Sequence, residues 1–156
     1  MEFAIGGVFM SASLYHKQIV AMARRCNEHP PLEHPDASTY VDNPLCGDNI
    51  EIGVELKDDK LVGVGFKVRG CLLCEAGATW IAERLVGLST DVPSSLESDI
   101  RALLKRENET VVDDWEALDV FLPVQSAKSR HRCVLLPFEA LNKALAQLAA
   151  DSENDS

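Results

Sequence analysis

Cysteine thiols that could bind a metal stand at three points of the chain, and one of them has a carboxylate close by. Cys46 and Asp48 are two residues apart. Cys71 follows a glycine, and Cys133 follows a basic segment. A divalent metal such as zinc takes about four thiolate, imidazole or carboxylate ligands in a tetrahedron. Three thiolates and one carboxylate would fill that shell, although the spacing alone also allows the thiols to be unrelated core residues.

A further thiol, Cys74, lies three residues after Cys71. When such a pair begins a helix, the first thiol can act as the nucleophile of thiol–disulfide exchange and the second as the resolving thiol. Cys74 could alternatively replace Asp48 as the fourth metal ligand. It also shares an apolar helical stripe with Ala78 and Ile81, which favours a small buried thiol. The residues leave these three interpretations open.

The basic segment 128–132 precedes Cys133 in an otherwise acidic chain. Arg130 and Arg132 beside a thiolate would stabilise its negative charge or hold an anionic sulfur species. His131 is a candidate outer support of the site or an alternative ligand. The segment could also be an ordinary solvated loop.

Two alternating runs of residues, 50–57 and 62–68, surround a short polar turn. A period of two on both sides of a turn predicts a β-hairpin with one buried face. Antiparallel pairing would bring Cys46, which precedes the first strand, and Cys71, which follows the second, to the same end of the sheet. The apolar positions are Ile50, Ile52, Val54, Leu56, Val62, Val64, Phe66 and Val68.

Helical spacing of apolar residues predicts helices elsewhere. The predicted helices are residues 11–26, residues 74–88, a helix that begins near Pro93, a shorter one over 113–120, and a last helix that Pro137 opens. Cys26 falls on the apolar face of the first helix and is expected to pack in the core. Gly87 is expected to help end the second.

Segment 27–44, rich in proline and polar residues, is expected to be a loop that leads to Cys46. A chain of 156 residues is long enough for one domain with a core. We expect a single domain over residues 1–156, with disordered ends at about 1–10 and 150–156.

Charge and composition narrow the class of protein. A net charge of -10 argues against binding nucleic acid through a basic surface, because phosphates would be repelled. No apolar run approaches the roughly 20 residues that span a membrane, and the start lacks the basic lead-in of a secretory signal. Five cysteines, an odd number, favour free thiols, metal ligands or redox work over disulfides. A cytoplasmic protein with protein or metal partners is therefore expected.

The motifs together resemble a known family. Asn43-Pro44-x-Cys46-Gly47-Asp48, then Gly70-Cys71, then Arg130-x-x-Cys133 is similar to the NifU N-terminal/IscU/SufU family of iron–sulfur cluster assembly proteins. The likeness runs from about residue 13 to residue 148. The long segment between Cys71 and Cys133 resembles the SufU branch. The Leu-Pro-Pro-Val-Lys motif of IscU proteins is absent, and Arg132 stands where they carry a histidine.

The resemblance implies an α+β fold, with a small antiparallel sheet packed against several helices. It implies a site of Cys46, Asp48, Cys71 and Cys133 that holds zinc, as in SufU-like proteins. Cys46 would accept persulfide sulfur from a SufS-like cysteine desulfurase, and Arg130 would support the thiolate or persulfide. Downstream assembly or recipient proteins would be the other partners, with no nucleic acid and no membrane involved.

Alternatives to this function remain. An IscU-like scaffold would use the same residues to assemble a transient [2Fe-2S] cluster, so the protein is either a sulfurtransferase or a non-enzymatic scaffold. A thiol–disulfide oxidoreductase would work through Cys71 and Cys74. A purely structural metal site is a further reading. The stretch Leu72-Leu73-Cys74-Glu75 departs from the family, which usually has small or hydroxylated residues after the second cysteine.

Overall fold

A three-stranded antiparallel sheet with helices packed against it forms the framework of the described part of the protein, residues 16–44, 47–105 and 113–154, in a computed structural model. The strands follow the order β1-β2-β3, and the fold is α+β, as the resemblance implied. The elements are α1 (residues 16–25), β1 (Ala37–Asn43), β2 (Asp48–Lys57), β3 (Lys60–Arg69), α2 (Leu72–Arg84), α3 (Val92–Lys105) and α4 (His131–Asn154). Short 3-10 segments are Cys26–Glu28, Asp113–Ser126 and Lys128–Arg130.

The predicted hairpin is confirmed in β2 and β3. Ile52 lies opposite Phe66 on the buried face of the sheet. Asp58 and Asp59 connect the strands with φ of 54° and 61°, the left-handed backbone that a tight two-residue hairpin turn needs. The hairpin ends place Asp48 and the residue after β3 at the same end of the sheet.

Segment 27–44, predicted as a loop, contains strand β1, so that prediction is wrong for Ala37–Asn43. Three of the four prolines of this segment precede the strand and Pro44 follows it. The outward residues of the strand are polar or exposed, which leaves a weak apolar alternation. The chain before β1 crosses the outer face of the sheet at two glycines. A Cβ on Gly65 would collide with the carbonyl oxygen of Pro30, and a Cβ on Gly53 would lie 3.0 Å from Pro35 Cβ.

Buried side chains confirm the helices predicted around Cys26 and after Pro93. Ile19, Met22 and Cys26 pack in the core at the α1 end, as predicted. Helix α2 ends at Arg84, before Gly87, whose φ is +98°. The predicted helix over residues 74–88 therefore extended about one turn beyond the observed end of α2. The buried residues of α3 are Leu96, Ile100, Leu103 and Leu104.

Helix α4 begins at His131, so the predicted start at Pro137 is wrong. Proline in a helix interior removes one backbone hydrogen bond. The buried residues just before it, Val134 among them, and the contact of Pro137 with α2 offset that loss. A Cβ on Gly77 of α2 would lie 3.2 Å from Pro137 Cγ, so the glycine permits the two helices to approach closely.

Helix α4 continues to Asn154, into the segment for which the sequence predicted disorder. The predicted disorder of residues 1–10 lies outside the described residues. Within residues 16–44, 47–105 and 113–154, no helix combines the length and apolar character that crossing a membrane requires.

Candidate metal and thiol site

Asp48, Cys71 and Cys133 converge at the end of the sheet where the hairpin strands begin and finish. Asp48 is the first residue of β2, Cys71 connects β3 to α2, and Cys133 is in the first turn of α4. One carboxylate oxygen and the two Sγ atoms all lie within 4.8 Å of one another. Ligand atoms this close can contact a single cation.

The Asp48 carboxylate is held in place by its neighbours and is 4% exposed. Its Oδ1 accepts a hydrogen bond from the backbone amide of Cys71 at 3.0 Å. Its Oδ2 is buried and has no hydrogen-bond partner among the described residues. A buried carboxylate oxygen without a partner is costly, and a bound cation would satisfy it.

Gly70 makes room for this carboxylate. A Cβ at position 70 would lie 2.7 Å from Asp48 Oδ1 and 2.8 Å from its Cγ. Real Cβ atoms do not approach other atoms so closely, so any larger residue would push the carboxylate away from the two thiols.

Cys133 is fully buried beside the other two groups. Burial raises the pKa of its thiol well above the ordinary value, and the charges of Asp48 and Cys71 raise it further. Without a metal the thiol therefore keeps its proton. A metal ion must displace that proton when it binds, so metal uptake at this site is coupled to proton release.

Arg130, a candidate support of a thiolate in the sequence, lies beside both thiols of the site. The charge of Cys71, together with a hydrogen bond to it, raises the pKa of the Arg130 guanidinium. The guanidinium itself is solvent-exposed. It belongs to the 3-10 turn Lys128–Arg130, immediately before α4.

Two neighbours of Arg130 have other partners. Arg132 was expected beside a thiolate, but its Nη1 pairs with Glu139 Oε1 at 3.1 Å, along α4. His131 Nε2 lies 3.0 Å from the carbonyl oxygen of Val124 and 3.1 Å from that of Gln125. Because a carbonyl only accepts, this nitrogen donates its proton. The backbone thus occupies Nε2, and the roles of His131 as an outer support or an alternative ligand stay predictions.

The extra thiol Cys74 is 0% exposed, in the first turn of α2. Burial raises the pKa of the Cys74 thiol well above its ordinary value, and the charges of Asp48 and Cys71 act in the same direction. Among the described residues, the close cluster of ligand atoms comprises Asp48, Cys71 and Cys133 without Cys74. This placement favours the buried-thiol interpretation over the interpretation of Cys74 as a ligand.

Cys46, the predicted sulfur acceptor, lies outside the described residues. Its neighbour Gly47 has a φ of +75°, which glycine adopts readily, and donates its amide hydrogen to Asn43 O at 2.9 Å. Gly47 is thus a turn residue directly before Asp48. The role of Cys46 stays a prediction.

An apolar cavity of about 350 Å³ adjoins the site, and sequence reasoning missed it. Cys71 and Arg130 form the part of its wall that belongs to the site. The other lining residues are His16, Ile19, Leu72, Leu73, Pro123, Val124 and Ala127. They come from three separated segments, so the local signal in the sequence was limited to the apolar pair Leu72-Leu73 after Cys71. The cavity leaves Cys71 open to an approaching group.

Known proteins resemble this chain over most of its length. The sequence model of the NifU-like N terminal domain matches residues 14–152. The chain is 22% identical over 136 residues to a Streptococcus pyogenes serotype M1 protein named iron-sulfur cluster assembly scaffold protein IscU, with 87% of this chain and 85% of that protein covered. It is 26% identical over 110 residues to the zinc-dependent sulfurtransferase SufU of Bacillus subtilis (strain 168), with 69% and 73% covered.

Solved structures show the same fold. A crystal structure of a nitrogen-fixing NifU-like protein (N-terminal) from Brucella abortus superposes with a TM-score of 0.79. The sequences are 24% identical, and the superposition covers 86% of this chain and 93% of that chain.

Proposed function

Because the chain belongs to the NifU-like N terminal domain family, we propose that it serves iron–sulfur cluster assembly as a sulfur-accepting protein of the SufU type. The family resemblance that the motifs indicated is confirmed. The proposed sulfur-accepting metal site rests on one observation above all. Asp48, Cys71 and Cys133 converge around a buried carboxylate oxygen that has no hydrogen-bond partner among the described residues.

The donor set fits zinc. Thiolates and a carboxylate are ordinary zinc ligands, and the free Oδ2 of Asp48 supplies a lone pair that no described residue uses. We assign Asp48, Cys71 and Cys133 as three ligands and Cys46 as the fourth. When bound, zinc keeps its thiol ligands deprotonated at neutral pH. The sulfurtransferase from Bacillus subtilis is named as zinc-dependent, in agreement with this assignment.

Cys46 is the acceptor in this proposal, and its chemistry is a thiol exchange on a persulfide. The Cys46 thiolate attacks the outer sulfur of a cysteine desulfurase persulfide. The bond between the two donor sulfurs breaks, the donor leaves as a thiolate, and Cys46 carries the new persulfide anion. No net oxidation or reduction occurs, because the sulfane sulfur only changes its partner.

Asp48 and Arg130 have supporting roles in this transfer. A hard carboxylate binds a thiolate-rich centre less firmly than a further thiolate would, which makes the site labile. Arg130, exposed at the rim of the cavity and next to Cys71, stabilises an anionic sulfur species arriving there. The persulfide then passes to downstream assembly or recipient proteins.

Desulfurase turnover tests the acceptor role directly. Cysteine desulfurase activity is measured with the wild-type chain and with Cys46→Ala, and Cys26→Ala serves as the matched control because that thiol is buried away from the ligand cluster. We expect stimulation with wild type and Cys26→Ala and loss of stimulation with Cys46→Ala. Unchanged stimulation by Cys46→Ala would remove Cys46 from the role.

A scaffold for a transient [2Fe-2S] cluster is the second candidate function. The same three ligands favour it, and the Streptococcus pyogenes relative is named as an assembly scaffold. Anaerobic reconstitution with iron and sulfide distinguishes the two functions. A scaffold gains visible absorbance in proportion to bound cluster, whereas a zinc-dependent acceptor stimulates the desulfurase without gaining it.

A further inference from the structure

The two thiols at the start of α2 differ in access but share one helical turn. Cys71 is the N-cap of the helix and is half-buried, whereas Cys74 is the third residue of the helix and is 0% exposed. We propose that Cys74 resolves a persulfide formed on Cys71 and thereby releases inorganic sulfide. This inference rests on the proposed function, since it requires the site to receive sulfane sulfur.

The backbone of this turn keeps the two cysteines one helical turn apart. The amide of Cys74 donates to the carbonyl oxygen of Cys71 at 3.0 Å, which closes the first turn. Positions i and i+3 of an ideal helix have Cα atoms about 5 Å apart. Disulfides form between Cα atoms roughly 4.4 to 6.8 Å apart. Side chains at the N-cap and third helical positions also lie next to each other, as in a capping box.

The burial of the two thiols assigns their order in the reaction. Cys71 lines the apolar cavity, so an incoming sulfane sulfur can reach it. Cys74 is enclosed by the core and cannot be reached by a donor from outside. It is also outside the close cluster of ligand atoms formed by the described residues. Its attack on Cys71 therefore leaves Asp48 and Cys133 in place.

The resolving step is balanced without an added oxidant. Cys74 sulfur attacks the inner sulfur of the Cys71 persulfide, and a bond forms between the two cysteine sulfurs. The bond from Cys71 to the sulfane sulfur breaks, and the sulfane sulfur leaves with the Cys74 proton as hydrosulfide. Two thiol sulfurs are oxidised to one disulfide while one sulfane sulfur is reduced to sulfide. An external dithiol would reduce the disulfide and reset the pair.

Cys133 is the competing resolving thiol, because its Sγ lies within 4.8 Å of Cys71 Sγ. A disulfide between Cys71 and Cys133 would consume two of the three ligand residues at once. A disulfide between Cys71 and Cys74 consumes one. The two outcomes differ in the peptides that the disulfide joins, so they can be distinguished by mass.

The test uses the full-length chain, with and without prior chelation, and inorganic polysulfide as the sulfane donor. Excess donor is removed by desalting, released sulfide is followed in time, and peptide mass mapping locates persulfides and disulfides. Variants are Cys74→Ala, Cys74→Ser and Cys133→Ala, with Cys26→Ala as the buried-thiol control. Circular dichroism identifies any variant that fails to fold, and two Cys74 variants ensure that one can be compared.

We expect wild type and Cys26→Ala to release one sulfide for each Cys71–Cys74 disulfide, at a rate that does not depend on protein concentration. Both Cys74 variants should retain the Cys71 persulfide and release sulfide at least about tenfold more slowly, because the intramolecular attack is lost. Unchanged release in the Cys74 variants, a Cys71–Cys133 disulfide, or a lasting Cys71 persulfide in wild type overturns this inference alone. If no thiol of the chain takes up sulfane sulfur, the proposed function fails with it.

Discussion

The Asp48 carboxylate accepts a hydrogen bond from the backbone amide of Cys71 at 3.0 Å, which connects the start of β2 to the N-cap of α2. One carboxylate oxygen is thus fixed by the fold, while the other is buried and has no hydrogen-bond partner among the described residues. The aspartate is therefore oriented toward the two thiols before any ion binds. This orientation is the basis of the predictions about the site.

Replacing Asp48 by alanine should lengthen the lifetime of a reconstituted iron–sulfur cluster by several-fold. The hard carboxylate is the ligand least suited to a thiolate-bound iron centre, so its loss removes the readiest point of exchange. The measurement is the anaerobic decay of visible absorbance after a chelator is added.

Asp36→Ala is the matched control for this substitution. The Asp36 carboxylate also accepts a hydrogen bond from a β2 amide, that of Leu56 at 2.7 Å, but it is not part of the ligand cluster. The control should leave the cluster lifetime unchanged. Equal decay in wild type and Asp48→Ala would show that the carboxylate does not limit the lifetime.

Gly70→Ala should weaken metal binding about 10- to 100-fold while the fold persists, the range seen when groups that orient ligands are changed. The new Cβ would lie 2.7 Å from Asp48 Oδ1 and displace the carboxylate. Competition with a zinc chelator measures the affinity, and circular dichroism checks the fold.

Gly63→Ala, within β3, provides the comparison for Gly70→Ala, which directly follows that strand. A Cβ at position 63 meets the flexible Glu55 side chain at 3.4 Å, so metal affinity should not change. If both alanine variants bind zinc as wild type does, Asp48 is not a ligand in the geometry described.

The hairpin register brings Asp48 and Cys71 together, at the end of the sheet where the sequence predicted Cys46 and Cys71. Asn49 pairs with Arg69, so the residues just outside that pair share one end of the sheet. The approach of Cys133 had no such local signal, and only the family resemblance implied it. Helix α4 brings Cys133 to the site through packing on the sheet and α2, which no spacing along the chain reveals.

The sequence did not reveal strand β1. β1 has polar outward residues and follows prolines, so its apolar alternation is weak, and pairing with β2 stabilises the strand instead.

Arg130 and Arg132 could not be distinguished from their positions along the chain. Their roles separate because α4 begins at His131, which directs Arg132 along the helix to Glu139 and leaves Arg130 in the turn beside Cys71.

Arg130→Ala should slow sulfur transfer from a desulfurase by several-fold and leave the melting temperature unchanged. The exposed guanidinium stabilises the negative charge of sulfur beside it and does not pack in the core. Its loss should therefore weaken the stabilisation of the anionic sulfur without changing the stability of the fold. Arg132→Ala is the matched control, since that side chain pairs with Glu139. Equal slowing by the two substitutions would indicate a general charge effect in place of a specific contact.

The stability of the protein should fall in alkaline solution partly through Cys26. Burial raises the pKa of this thiol from its ordinary value of 9.0 to about 11, and the charge of Glu75 adds to the shift. The folded state therefore holds the proton more tightly than the unfolded state. The stabilisation is fully present below pH 9 and is lost as the pH rises toward 11.

Cys26→Ala tests this linkage through the pH dependence of its effect on unfolding. Denaturant unfolding at pH 8 and pH 10 should show that the penalty of the substitution is smaller at pH 10 by about 1.4 kcal/mol, the value of one pH unit for one proton. Ile19→Val, a buried change in the same core without a titratable group, should carry the same penalty at both pH values. A penalty of Cys26→Ala that does not change with pH would mean that the thiol titrates alike in the folded and unfolded chain.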